Sequence, residues 1–156
     1  MGRGMPDSTQ ILYKIRVLPS DPQPAPQAAV AGDNAKVKAP VTRYSVDFAV
    51  SMKDLDLAMT PGGIHHGNIE VALVAYDHDG NTLNWAVRST DMSLEPQLYA
   101  TFEQGGAQVH QEIDVPQGDV FLRTGIYDPA TGKAGTLEIQ LRDVGPSAVA
   151  TRSIGP

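Results

Sequence analysis

From Thr42 to Met52 the side chains alternate in character, with Tyr44, Val46, Phe48, Val50 and Met52 set against Arg43, Ser45, Asp47 and Ser51. A helix would scatter these apolar residues around its axis, whereas an extended strand gathers them on one face. A sheet with one apolar face must bury it against a second layer, so this single stretch already commits the chain to a layered β architecture.

The same rhythm recurs along the sequence. Ile11, Tyr13, Ile15 and Val17 fall on one side of a strand over 10–18, opposite Lys14 and Arg16. Leu55, Leu57 and Met59 continue the pattern after a kink at Lys53-Asp54. The run Ile69 to Tyr76 is apolar on both sides, which predicts a central strand buried on both faces. Asp77-His78-Asp79-Gly80 reads as a hairpin turn, because Asp-Gly accepts positive φ. In the return strand Leu83, Trp85 and Val87 alternate, and burial of Trp85 between the sheets is the default expectation. Pro96 and Gly105-Gly106 bracket one short helix over about 96–104, with Leu98 and Phe102 four apart on its packing face. Val109 to Val115, Val120 to Asp128 and Leu137 to Leu141 supply the remaining strands. Seven or eight short strands with turn signals between them predict an antiparallel β-sandwich of the immunoglobulin or fibronectin type III kind, a small closed barrel being the rival. Residues 1–9 form an N-terminal extension, 10–141 one domain, and 142–156 a tail expected to fray. Within the domain, 19–40 departs from the rhythm. Rich in Pro and Ala, it reads as a long connection or crossing segment with room to move.

Composition restricts the chemistry. The 156 residues carry a net charge of −6 without any basic run, which argues against a nucleic-acid partner. Cysteine is absent, excluding disulfides, thiolate metal sites and cysteine nucleophiles. No segment approaches the roughly 20 apolar residues of a membrane span. Met1 to Asp7 has no apolar core of a signal peptide, so the expectation is either a cytosolic protein or a piece of something larger.

Each polar motif has a structural reading beside its chemical one. His65-His66 pairs two metal-ligating residues, but neighbours on an extended chain point apart and an exposed loop explains them. Asp77 and Asp79 offer oxygen ligands for calcium, yet Arg88 stands where the closing Glu of a loop of about 12 residues belongs. Gly132-Lys133 resembles a phosphate loop, with Tyr127 and Ala134 in place of the Gly and the Ser or Thr it requires. His110, Glu112 and Asp114 share one strand face, the pattern of an acid–base cluster and equally of a solvated face. Trp85, if exposed near Tyr44, Tyr76 or Tyr99, would form a sugar-binding platform. No cofactor is expected.

A set of segments in fixed order carries a family resemblance. Met5-Pro6-Asp7-Ser8-Thr9-Gln10-Ile11 leads into the first strand, followed by Val41-Thr42-Arg43-Tyr44-Ser45-Val46-Asp47-Phe48 and Val74-Ala75-Tyr76-Asp77. Glu112-Ile113-Asp114-Val115-Pro116, Phe121-Leu122-Arg123-Thr124-Gly125-Ile126-Tyr127-Asp128 and Gly135-Thr136-Leu137-Glu138-Ile139 complete it. Together they resemble the C-terminal β-rich region of acidobacterial von Willebrand factor A-related proteins. The resemblance implies a secreted or periplasmic module of a larger precursor, whose partners are the parent's other domains or another protein. The Asp-x-Ser-x-Ser metal motif of the A-type domain is missing here, so no metal-dependent adhesion carries over to this chain. The expected function is a non-catalytic accessory or interaction module, with carbohydrate binding and then hydrolysis as alternatives.

Overall fold

The computed structural model of the chain describes residues 9–26, 28–141 and 150–153. The alternating segments pair as two antiparallel sheets. Sheet I contains β1 (Tyr13–Pro19), β2 (Val41–Val50), β6 (Ala107–Pro116) and β9 (Ala150–Ser153), in the order β6-β2-β1-β9. Sheet II contains β3 (Ala58–Met59), β4 (His65–Tyr76), β7 (Phe121–Asp128) and β8 (Lys133–Gln140) in the order β3-β4-β7-β8, with β5 (Thr82–Leu94) also paired to β4. A helix, α1 (Pro96–Gly105), carries the chain from β5 back to β6. The fold is the all-β sandwich that the period-2 pattern predicts.

Its interior is the set of residues the rhythm selects. Ile11, Tyr13, Ile15 and Val17 from the first strand region face Val46, Phe48 and Val50 on their own sheet and Leu73, Leu122 and Ile126 on the other, all buried in one cluster. The two sheets are also pinned by a polar contact. The Tyr13 hydroxyl of sheet I lies 2.7 Å from Thr124 Oγ1 of sheet II, and Thr124 Oγ1 donates onward to Leu137 O at 3.1 Å. A buried phenol needs such a partner, because an unmet hydroxyl in the core costs more than the bond contributes.

The chain enters on one sheet and crosses to the other. Thr9 bridges to Gly135 and Ile11 N donates to Ala134 O on β8, before Tyr13 starts β1 in sheet I. Gly135 permits this crossing, since a side chain there would collide with the Ile11 carbonyl. At the other end, Ala150–Ser153 pairs with Lys14–Val17. Part of the expected tail is therefore a strand, while 142–149 and 154–156 lie outside the described residues, as do residues 1–8 of the N-terminal extension.

Two packing expectations need correction. In β5 the buried positions are Asn84, Ala86, Met92 and Leu94; Trp85 is 39% exposed and Val87 50%. The register with β4 is the reason. Ala86 sits opposite Leu73 and Asn84 opposite Ala75, both core residues, so Trp85 and Val87 must point outward. In α1, Leu98 is 43% exposed, and the helix instead packs through Tyr99 and Phe102, three apart. Pro96 opens it and Gly106, at φ 90°, closes it with a bond to Phe102 O.

Tyr13→Phe is expected to lower the unfolding free energy by about 1 kcal/mol at unchanged denaturant slope, since the hydroxyl's contacts with Thr124 Oγ1 and Thr124 O are lost while the ring packing stays. Urea titration followed by far-UV circular dichroism measures it. An unchanged midpoint would show that the Tyr13–Thr124 contact adds nothing to the packing.

Candidate functional site

The Pro/Ala-rich segment is tied across one open side of the sandwich, where the edge strands β5 and β6 lie. Ala31 and Asp114 bond reciprocally: Asp114 N donates to Ala31 O at 2.8 Å and Ala31 N to Asp114 Oδ2 at 2.9 Å. Asp114, only 2% exposed, also receives Arg43 in a two-pronged contact, Nε to Oδ1 at 2.7 Å and Nη2 to Oδ2 at 3.0 Å. Arg43 Nη2 reaches on to Ala29 O at 2.8 Å. The paired carboxylate holds the Arg43 guanidinium pKa above its already high ordinary value. From β5, the buried Asn84 amide donates to Ala31 O and Asp114 O and accepts from Asn34 N and Trp85 N, so its bonding capacity is filled. Asp33 N completes the strap by donating to Trp85 O at 2.6 Å. Gly32, at φ 125°, passes so close to Asn84 that any side chain would meet the amide.

The strap holds the base of Trp85, and the sheet presents its ring. Across the outer face of sheet II, register aligns Trp85, Val74, Arg123 and Glu138 in one row. The next row is Val87, Ala72, Gly125 and Thr136, and the next Ser89, Glu70, Tyr127 and Ala134. Trp85, Val87 and Tyr127 are the exposed large side chains of this face. Between Val87 and Tyr127 lies a dimple of about 130 Å³ lined by Ala72, Gly125 and Thr136, with little polar surface. Strand geometry puts the Trp85 and Tyr127 backbones roughly 16 Å apart. Arg123, 2% exposed, is sunk into the same face, with Nη2 3.1 Å from Thr136 Oγ1 and Nη1 3.8 Å from Glu138.

The other candidates separate. Tyr76 is 6% exposed and burial raises its hydroxyl pKa, so it offers no platform beside Trp85. Burial raises the hydroxyl pKa of the half-buried Tyr44 as well, and Tyr44 lies in the other sheet. Tyr99 stacks on His65 at a ring distance of 3.6 Å, and with Phe102, Leu12 and Met52 it borders a cleft of about 280 Å³ between α1 and sheet I. His65 and His66 project to opposite faces of β4. Asp77 spends its carboxylate on its own turn: Oδ1 accepts from Asp79 N and Asn81 N, and Oδ2 from Asn81 Nδ2. The Asn81 contacts hold the Asp77 pKa below the ordinary carboxylate value. Gly132 closes the turn after Asp128, with its N–H on Asp128 O. Among the described residues there is no group of three or more His, Asp or Glu placed to hold a metal, and no helix long and apolar enough to cross a membrane.

The shared face of His110, Glu112 and Asp114 is split by the strap. Asp114, expected to face solvent, is covered by Ala31 and claimed by Arg43. His110 instead finds a residue that spacing along one strand does not reveal: Asp47, its direct partner on β2, with Oδ1 2.7 Å from His110 Nδ1. Glu112 Oε1 lies 3.6 Å from Nε2. Asp47, followed by Glu112, raises the His110 pKa.

No protein-family model, no curated protein and no solved structure matches the chain.

Two outcomes follow from these geometries. Asp114→Ala leaves Arg43 facing a void and is expected to destabilise the fold by about 3 kcal/mol, read from urea midpoints. A loss below about 0.5 kcal/mol would mean that the strap does not close the sandwich. For His110, a folded-state pKa raised above the unfolded value contributes stability that is complete at acidic pH. That contribution disappears as pH rises from about 6.5 through the folded value. Because the imidazole is half exposed, solvent screening limits it to about 0.2–1 kcal/mol. NMR titration of the imidazole is expected to give an elevated pKa that Asp47→Asn returns toward normal; an Asp47→Asn titration matching wild type refutes the pairing.

Proposed function

We propose that the chain is a non-catalytic accessory module of a larger exported protein, contacting a neighbouring domain or another protein through the outer face of sheet II. The observation that carries this reading is the exposure of Trp85, Val87 and Tyr127 on one rigid sheet face. Aromatic anchors on a preorganised surface lose little conformational entropy on binding, and contact energy concentrates on such residues. An exposed apolar cluster also costs solubility, so it favours a contact role over mere surface filling. The resemblance to the β-rich region of von Willebrand factor A-related proteins supports the same reading and supplies the expected partners.

Crosslinking this chain to the remaining domains of the precursor tests the proposal. Contact is expected, and Trp85→Ala should weaken it by about tenfold or more while leaving the melting temperature nearly unchanged. A chain that stays monomeric and inert toward those domains would sink the reading.

Exposure of Trp85 also favours a second function, carbohydrate binding, because a sugar ring stacks on an accessible indole. Titrating soluble polysaccharides while following tryptophan emission separates the two, since Trp85 is the sole tryptophan. A saturable spectral shift supports the sugar; an unresponsive emission leaves the protein contact.

A further inference from the structure

Strand β5 is an edge strand whose outer backbone is only half covered. Trp85 O accepts from Asp33 N, Leu83 O accepts from Asn34 Nδ2 at 2.7 Å, and Val87 N donates to Asp33 Oδ2 at 3.3 Å. Arg88 folds back, its Nη1 on Asp33 Oδ2 at 3.0 Å and on Val87 O at 2.9 Å, which ends the covered stretch. These contacts establish that the odd-numbered residues turn their N–H and C=O groups away from β4. By the two-residue repeat of a strand, Ser89, Asp91 and Ser93 do the same. β5 pairs only with β4 over this region, and the outward backbone groups of these three exposed residues have no partner among the described residues.

Charge and packing specify what such an edge would accept. With Arg88 drawn back to Asp33, the charged groups nearest the open stretch on the outer face are Asp91 and Glu70, the latter opposite Ser89. Thr90, half-buried, and Met92, 7% exposed, lie on the inner side. A segment added here would place basic side chains beside Asp91 and Glu70, and apolar ones next to Thr90 and Met92. A second copy of this edge fits poorly, because two-fold antiparallel pairing centred on Asp91 sets Asp91 against Asp91.

We propose that residues 89–93 of β5 take up an extended segment of another protein as an added strand, alternating apolar with Lys or Arg side chains. The chain's own strap already meets the adjoining half of the edge, through one backbone and two side-chain contacts, and strand addition is a general route to peptide recognition. The inference rests on the reading of the chain as an interaction module and names the partner chemistry.

Amide hydrogen exchange by NMR on the whole chain tests it, with a soluble peptide of about seven residues alternating Val and Lys as probe. Exchange at Ser89, Asp91 and Ser93 should slow by about tenfold, and the peptide should bind about tenfold more tightly than its Val/Glu counterpart. Ser89→Pro removes an outward N–H without touching the ladder to β4, and should abolish binding with the fold intact. Ser93→Pro serves the same purpose if Ser89→Pro does not fold. Asp91→Lys should reverse the preference toward the Val/Glu peptide. His110→Pro, on the separate edge of β6, should leave binding unchanged. Unaltered exchange at millimolar peptide, binding that survives the Pro variants, or concentration-dependent protection without peptide would each overturn the proposal. Contact with the precursor that is lost in Trp85→Ala but kept in Ser89→Pro would reject the edge while retaining the interaction module.

Discussion

Two sheets stacked face to face bury their centres readily, but their edges remain open to water. In this chain one open side is governed by the Asp114 carboxylate. It binds the β2 guanidinium of Arg43 through both oxygens and accepts Ala31 N of the strap, while the Asp114 backbone N–H donates to Ala31 O. A carboxylate this buried is tolerable only when its lone pairs are met and its charge is balanced. Arg43 and Ala31 N do both. Asn84 extends the node to β5, so sheet I, sheet II and the long connection converge on a few bonded atoms.

This closure shapes the surfaces available for contact. The strap covers Leu83 to Val87 on the β5 edge and fixes the backbone that carries Trp85, while leaving the far half of that edge open. The two outer faces also differ in character. Sheet I presents ladders of charge, with His110, Asp47 and Arg16 in one cross-strand row. Sheet II presents aromatic and aliphatic groups around the Gly125 dimple. The first face is already paired with itself; the second has apolar area to give up on contact.

Much of the architecture was legible from the residues. Sustained alternation over Thr42–Met52 and Gln10–Leu18 identified two core strands, and the doubly apolar run Ile69–Tyr76 identified the central one. Pro96 and Gly105-Gly106 bounded the helix to within a residue, because these residues act through local backbone geometry. The candidate site was less legible. Period-2 alternation gives two faces but not which is inside, and in β5 the bulkier side chains of Trp85 and Val87 suggested the wrong one. Asn84 and Ala86 point inward because Ala75 and Leu73 of β4 oblige them to. The His110–Asp47 pair was hidden for a related reason, since its members are 63 residues apart and meet only through the β2–β6 register.

What the sequence by itself determined, then, was the layered β class, the strands that build the interior and the turns between them. Each of these depends on side-chain order within a few residues. The tertiary structure alone decided that Trp85 faces outward, that Asp114 is buried, and that a Pro/Ala-rich connection without rhythm becomes a bonded strap. Those outcomes depend on register between distant strands and on the satisfaction of buried polar groups, and both are properties of atoms brought together only when the chain has folded.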